Sequence, residues 1–251
     1  VEIEFQGNRE EVARLMNAKG VRAYVEEYNH TTKSYWKLIT DSSCGYELVS
    51  PPLKGRKGLE QLKKACEALK EAGAKVNRKC GFHVHHDIND YNAKQIANIF
   101  AIYVKLEKTI DTFVPNSRRA NNNRYCSSLF QGTTQQAILD KLKAVKSLED
   151  IRRIWYTRYV KVNFQSYVKY GTIEFRQHSG TIEFEKMYNW ILLTQQIVNM
   201  AATPVQKTYK AENDNLQSMR NILRLIPAKG ATEEVAKMFK WYRNRAKQLA
   251  A

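Results

Sequence analysis

Residues 80–87 read Cys80-Gly81-Phe82-His83-Val84-His85-His86-Asp87. Side chains of a strand alternate between two faces. Phe82 and Val84 therefore turn to a core, and His83 and His85 share the opposite face. The same alternation recurs at Val1-Glu2-Ile3-Glu4-Phe5, where Val1, Ile3 and Phe5 take the core face and leave Glu2 and Glu4 together. In Thr172–His178 the inward positions are Ile173 and Phe175, which leaves Glu174, Arg176 and His178. Glu47 comes from a further strand, Tyr46–Val49, and Asp41 stands just before it.

Working outward, Val21–Tyr28 and Tyr35–Thr40 read as strands, and Ser50-Pro51-Pro52 closes the one that ends at Val49. Asn8 can cap a helix that Gly20 ends. Leu59, Leu62, Ala65, Cys66 and Leu69 recur at helical spacing between Gly58 and Glu71. Asn92 to Phe113 predicts a long helix with Ile96, Ile99, Phe100, Tyr103, Leu106 and Ile110 on its apolar side. Pro115–Gly132 is a polar loop. Short helices are expected near 134–144 and 148–157, and Tyr159–Tyr167 with Thr172–His178 as a β-hairpin around Lys169-Tyr170-Gly171. Helices near 183–202, 214–226 and 231–249 complete the chain. The pattern is an α+β fold, an antiparallel or mixed sheet covered by helices. Residues 1–202 are expected to form the catalytic domain, and 203–251 a helical C-terminal appendage packed on it.

Composition sets outer limits. At 251 residues and 43% hydrophobic content, the chain suits one large domain, alone or with such an appendage. No apolar run approaches the roughly 20 residues of a membrane span, so no membrane partner is expected, and Val1–Phe5 lacks a signal-peptide core. The four cysteines, Cys44, Cys66, Cys80 and Cys126, show no CxxC spacing. That gives no support for a zinc site or a disulfide framework, and reduced thiols of a cytoplasmic protein are the expectation. A net charge of +16 favours anionic partners such as nucleotides, nucleic acid or acidic polymers.

If the strands share one sheet, one face gathers Glu2, Glu4, Glu47, Glu174, His83, His85 and Arg176. Alone, Glu-x-Glu reads as a solvated strand face, His-x-His as an edge or a zinc pair, and Glu-x-Arg as a minor ion pair. Together they crowd like charges, which drives carboxylates toward protonation. Bound divalent cations resolve that conflict. Oxygen ligands with one or two imidazoles suit Mg²⁺ or Mn²⁺ better than a soft metal.

These residues, in this order, resemble the amidoligase family, a relative of glutamate–cysteine ligase and glutamine synthetase. The resemblance is carried by Val1-Glu2-Ile3-Glu4-Phe5, by Asp41 through Gly45-Tyr46-Glu47-Leu48-Val49-Ser50-Pro51, and by Cys80-Gly81-Phe82-His83-Val84-His85. It continues through Asn121 to Arg124-Tyr125-Cys126, Val162-Asn163, and Gly171-Thr172-Ile173-Glu174-Phe175-Arg176 running to Ser179-Gly180-Thr181, over about residues 1–200. It implies a sheet curved into a trough, with ATP entering one end and the substrates the other. It implies that Glu2, Glu4, Glu47, Glu174 and one histidine ligate two or three Mg²⁺ ions, with His85 preferred as that histidine, His83 nearby, and Asp41 as a further ligand. Arg176 would face the transferred phosphate. Arg124 and Asn163 match positions that hold nucleotide or carboxylate. The missing Gly-rich P-loop is consistent with this family, where metals cradle the phosphates.

The implied reaction joins a carboxylate and an amine through an acyl phosphate at the expense of ATP, with Glu174, Arg176 and His83 as its catalytic residues. The loop Pro115–Gly132 is expected to close over the trough, Arg124 pointing inward and Arg118 and Arg119 at the rim. Two other readings stay open: a two-metal hydrolase or nuclease built from the same side chains, and a basic nucleic-acid-binding module.

Overall fold

A computed structural model describes residues 1–250, with the side chains of Gln206 and Lys229 outside the description. The elements run β1 (Glu2–Phe5), α1 (Arg9–Ala18), β2 (Ala23–Val25), β3 (Trp36–Asp41), β4 (Gly45–Val49), α2 (Gly55–Glu71), β5 (Phe82–Asp87) and α3 (Ala93–Asp111). They continue α4 (Gln135–Ala144), α5 (Leu148–Ile154), β6 (Val162–Asn163), α6 (Gln165–Tyr170), β7 (Thr172–Phe175), α7 (Phe184–Met200), α8 (Leu216–Ile222) and α9 (Glu233–Ala250). The seven strands form a mixed sheet in the order β2-β3-β4-β1-β5-β7-β6. Only β2 with β3 is a parallel pair among the pairings described.

The chain divides into two compact units, Val1–Val84 with His178–Trp190, and His85–Gln177 with Ile191–Ala251. In the first unit β1 lies between β4 and β5, antiparallel to both. Ile3, Phe5, Leu48 and Phe82 are buried on one face of these strands, as the alternation requires. On α2, Leu62, Ala65, Cys66 and Leu69 form the buried stripe. Asn8 caps α1 by accepting from Glu11 N–H. Residues from far along the chain complete this unit: Phe82 N–H donates to His178 C=O, and Gly81 bridges Ser179.

One expectation about the thiols fails here. Cys44 and Cys80 form a disulfide with Cα atoms 5.2 Å apart. Spacing along the chain does not show it, because the β3–β4 turn and the start of β5 meet only in the folded sheet. Cys66 and Cys126 are free and buried.

In the second unit α3 is buried along almost its whole length. Asn92 opens it with a reciprocal capping box to Gln95. Lys161, 0% exposed, sits against this helix and binds Glu107 Oε1 at 2.8 Å and Asp111 Oδ1 at 2.6 Å. Gln177 donates to Asp111 Oδ1 and to Arg118 C=O, and accepts from the Tyr103 hydroxyl. Burial pushes the Glu107 carboxyl up, and Lys161 opposes that shift. Residues 203–250 also belong to this unit.

The expected hairpin at 159–178 differs in its first arm. β6 has two residues, and a helical turn, α6, replaces the rest. Asn163 Oδ1 accepts from Gln165 N–H at 2.8 Å, and Ser166 Oγ donates to Thr172 C=O at 2.8 Å with Asn163 C=O also in reach at 3.1 Å. These local bonds compete with the ladder. Gly171, at φ 65°, ends the turn and starts β7.

Candidate functional site

The sheet register builds the first cluster. Antiparallel partners point to the same face, and β1 pairs Glu4 with Glu47 and Glu2 with His83. Glu2, Glu4, Glu47 and His83 are thereby gathered in the first unit. His83 Nδ1 lies 3.2 Å from Glu2 Oε2, and its Nε2 lies 3.7 Å from Glu4 Oε1. One ligand atom each from Glu2, Glu47 and His83 falls within 4.8 Å of the others. Two carboxylates and an imidazole at that separation suit a hard divalent cation. His83 is the histidine of this set.

The second unit gathers His85, Asn163, Glu174 and Arg176. Arg176 Nη1 reaches Glu174 Oε1 at 2.5 Å, Asn163 Nδ2 donates to Glu174 Oε2 at 2.6 Å, and His85 Nε2 lies 3.9 Å from Glu174 Oε1. The other His85 nitrogen, Nδ1, is 3.0 Å from Thr172 Oγ1. Arg176 Nε donates to Tyr125 C=O at 3.3 Å, which ties the guanidinium to the 115–132 loop. Glu174 and Asn163 are buried. The carboxylate thus has an amide, an imidazole and a guanidinium around it, while β6 and β7 hold Asn163 opposite Glu174 in register.

A family model described as "Putative amidoligase enzyme" matches residues 1–198. The chain belongs to this amidoligase family. Membership makes it a ligase-type enzyme, and both clusters lie inside the matched span. Comparison with curated proteins finds no match. No helix among the described residues is long and apolar enough to cross a membrane.

Other residues singled out in the sequence fall differently in this amidoligase. Asp41 shares a face with Glu47 but sits two positions further along β3, opposite Gly45. Its Oδ1 accepts from Ser43 N–H, Ser43 Oγ and Cys44 N–H, so it shapes the β3–β4 turn. Arg118, expected at a rim, is 2% exposed, with Nη1 3.8 Å from Cys126 Sγ. The loop folds back on α3 and carries it inward: Ala120 N–H donates to Asp111 and Leu129 N–H to Glu107. Arg119 donates to Val114 C=O. Arg124, expected to point inward, is exposed and lies over the Tyr125 ring at 4.8 Å. His178 does not extend the face of Glu174, because β7 ends at Phe175. It is buried against Phe82 and Trp190 in the first unit.

Sequence alone assigns no site role to two residues of the first cluster's surroundings. Lys37, 4% exposed on β3, donates to Asn29 C=O, Asn29 Oδ1 and Thr31 C=O. Burial lowers its ammonium, and the charges of Glu26, Glu47 and Glu2 hold it up. A lysine inside the apolar run Trp36-Lys37-Leu38-Ile39 was the available signal. Gly81 is the other. Its N–H donates to Glu4 Oε2 at 2.6 Å, and a Cβ there would stand 2.6 Å from His83 Nε2.

Proposed function

We propose that this amidoligase forms an amide from a carboxylate and an amine, driven by ATP through an acyl phosphate, on a sheet of the glutamine synthetase and glutamate–cysteine ligase type. A carboxylate oxygen of the substrate attacks the γ-phosphorus of ATP, and the bond to the β-phosphate oxygen breaks to release ADP. The amine nitrogen then attacks the acyl carbon. Phosphate leaves with the bonding pair, and the amine gives up a proton.

Glu2, Glu47 and His83 would hold Mg²⁺ or Mn²⁺, with Glu4 and Gly81 fixing the imidazole between them. The cation, when bound, supplies positive charge against phosphate oxygens. Glu174 would orient Arg176, whose planar fork suits two phosphoryl oxygens at once. The observation that carries the reading is the Glu174–Arg176 contact, buttressed by Asn163 and His85, within a chain of this family. An arginine held beside a buried carboxylate that Asn163 and His85 also contact can present its planar fork to phosphoryl oxygens, and the family match favours a ligase over a hydrolase or a nucleic-acid binder.

Incubation with ATP, Mg²⁺, and pooled amino acids, peptides and amines tests the proposal. ADP should appear only when a carboxylate and an amine are both present. Cleavage of a substrate without ATP would support the hydrolase reading instead. RNA or DNA added as acceptor tests whether the +16 charge serves a nucleic-acid substrate.

A further inference from the structure

We propose that the groove between α8 and α9 binds a small organic anion with an apolar body and one carboxylate or sulfonate head. The groove, about 600 Å³, lies in the second unit and beyond residue 198, outside the span shared with the family. Its size is that of sites for compact organic ligands.

Its wall explains the chemistry. Ala236, Phe239, Lys240 and Arg243 all line it from α9. Their spacing of i, i+3, i+4 and i+7 puts them on one helical face. Leu216 and Leu225 line it from α8 and the turn that follows. The apolar floor thus carries a cationic edge of Arg220, Lys240 and Arg243, and no acidic residue lines the groove among the described residues. Arg220 Nε is buried and has no hydrogen-bond partner among the described residues. Three cations without a counter-charge select an anion, and the apolar floor selects a body that leaves water.

The test compares 8-anilinonaphthalene-1-sulfonate with its neutral relative N-phenyl-1-naphthylamine, by fluorescence titration of the whole chain. The sulfonate should bind saturably, about ten-fold or more tighter than the neutral probe, the scale of one charge-assisted bond. Arg220→Gln/Lys240→Gln/Arg243→Gln should erase that preference and leave the neutral probe unchanged. Ala236→Trp should block both probes. Should Ala236→Trp lose its helical circular dichroism, the charge variant alone decides. The proposal is overturned if no saturable binding occurs, if the two probes bind equally, or if the preference survives Arg220→Gln/Lys240→Gln/Arg243→Gln.

Discussion

The Gly81 N–H donates to Glu4 Oε2 at 2.6 Å, which leaves the Glu4 carboxylate beside the His83 ring. That arrangement exists because Gly81 has no side chain. A Cβ would meet His83 Nε2 at 2.6 Å and Glu4 Oε2 at 3.5 Å. Gly81 does not adopt a positive φ, so alanine adds no backbone strain. Gly81→Ala should turn the imidazole away from Glu2 and weaken Mn²⁺ binding about ten-fold or more, the scale of a lost supporting contact at a metal. Calorimetric Mn²⁺ titration checks it, with circular dichroism confirming the fold. Unchanged Mn²⁺ affinity would remove the metal role from this cluster.

Arg176→Lys keeps the charge and loses the fork. Turnover should fall by about 10²-fold or more with a smaller change in ATP affinity, as for loss of one transition-state donor. Steady-state kinetics separates the two. Equal kcat in variant and parent would make this arginine only the ion-pair partner of Glu174.

Lys161 pairs with the buried Glu107 carboxylate and with Asp111, which is partly exposed. Lys161→Met removes the cation and strands two carboxylates, which should cost about 3–5 kcal/mol. Lys161→Met/Glu107→Gln/Asp111→Asn should recover most of that loss. Urea denaturation of the three proteins compares them, and a single variant as stable as the parent would contradict the prediction.

His86 gives a pH dependence with a definite sign. Burial pushes its imidazole down to about 3, and its Nε2 lies 2.8 Å from Thr194 Oγ1. The unfolded chain protonates this histidine near 6.5, so below that pH the unfolded state binds more protons. The contribution of neutral His86 is fully present above about 6.5, and is lost between there and about 3 at roughly 1.4 kcal/mol per pH unit. His86→Gln should flatten the fall in stability between pH 6 and 4. Parallel slopes for the two proteins would show that His86 is not buried neutral.

The disulfide closes a loop of 36 residues. Chain entropy assigns such a closure about 3–4 kcal/mol. Reduction, or Cys44→Ala/Cys80→Ala, should lower the unfolding free energy by an amount of that order, read from urea midpoints with and without reductant.

Alternation made Glu2, Glu4, His83, His85 and Glu174 legible, because burying Ile3, Phe82, Val84 and Ile173 dictates where their neighbours point. Alternation also put Arg176 beside Glu174, while Asn163 was legible only through the family resemblance. What could not be read depends on contacts far apart in sequence. Arg118 looks like a rim residue until the loop is seen bonded to Asp111 and Glu107. His178 keeps the strand period in sequence, yet the ladder stops at Phe175. The Cys44–Cys80 pairing and the closeness of Gly81 to His83 require the register of three strands. The α6 turn is not legible because Asn163 and Ser166 bond locally where the strand pattern of the sequence continues.

The first unit draws on Val1–Val84 and then on His178–Trp190. During synthesis, at about 5–20 residues per second, the closing piece emerges roughly 5–20 s after β5. For that interval Phe82 N–H lacks the His178 carbonyl that it binds in the finished protein. The nascent chain thus presents an open strand edge beside its acidic cluster, a stage at which pairing with a second chain competes with self-completion. No contiguous fragment short of Trp190 can contain this unit, so a truncation after β5 removes part of its fold rather than isolating it.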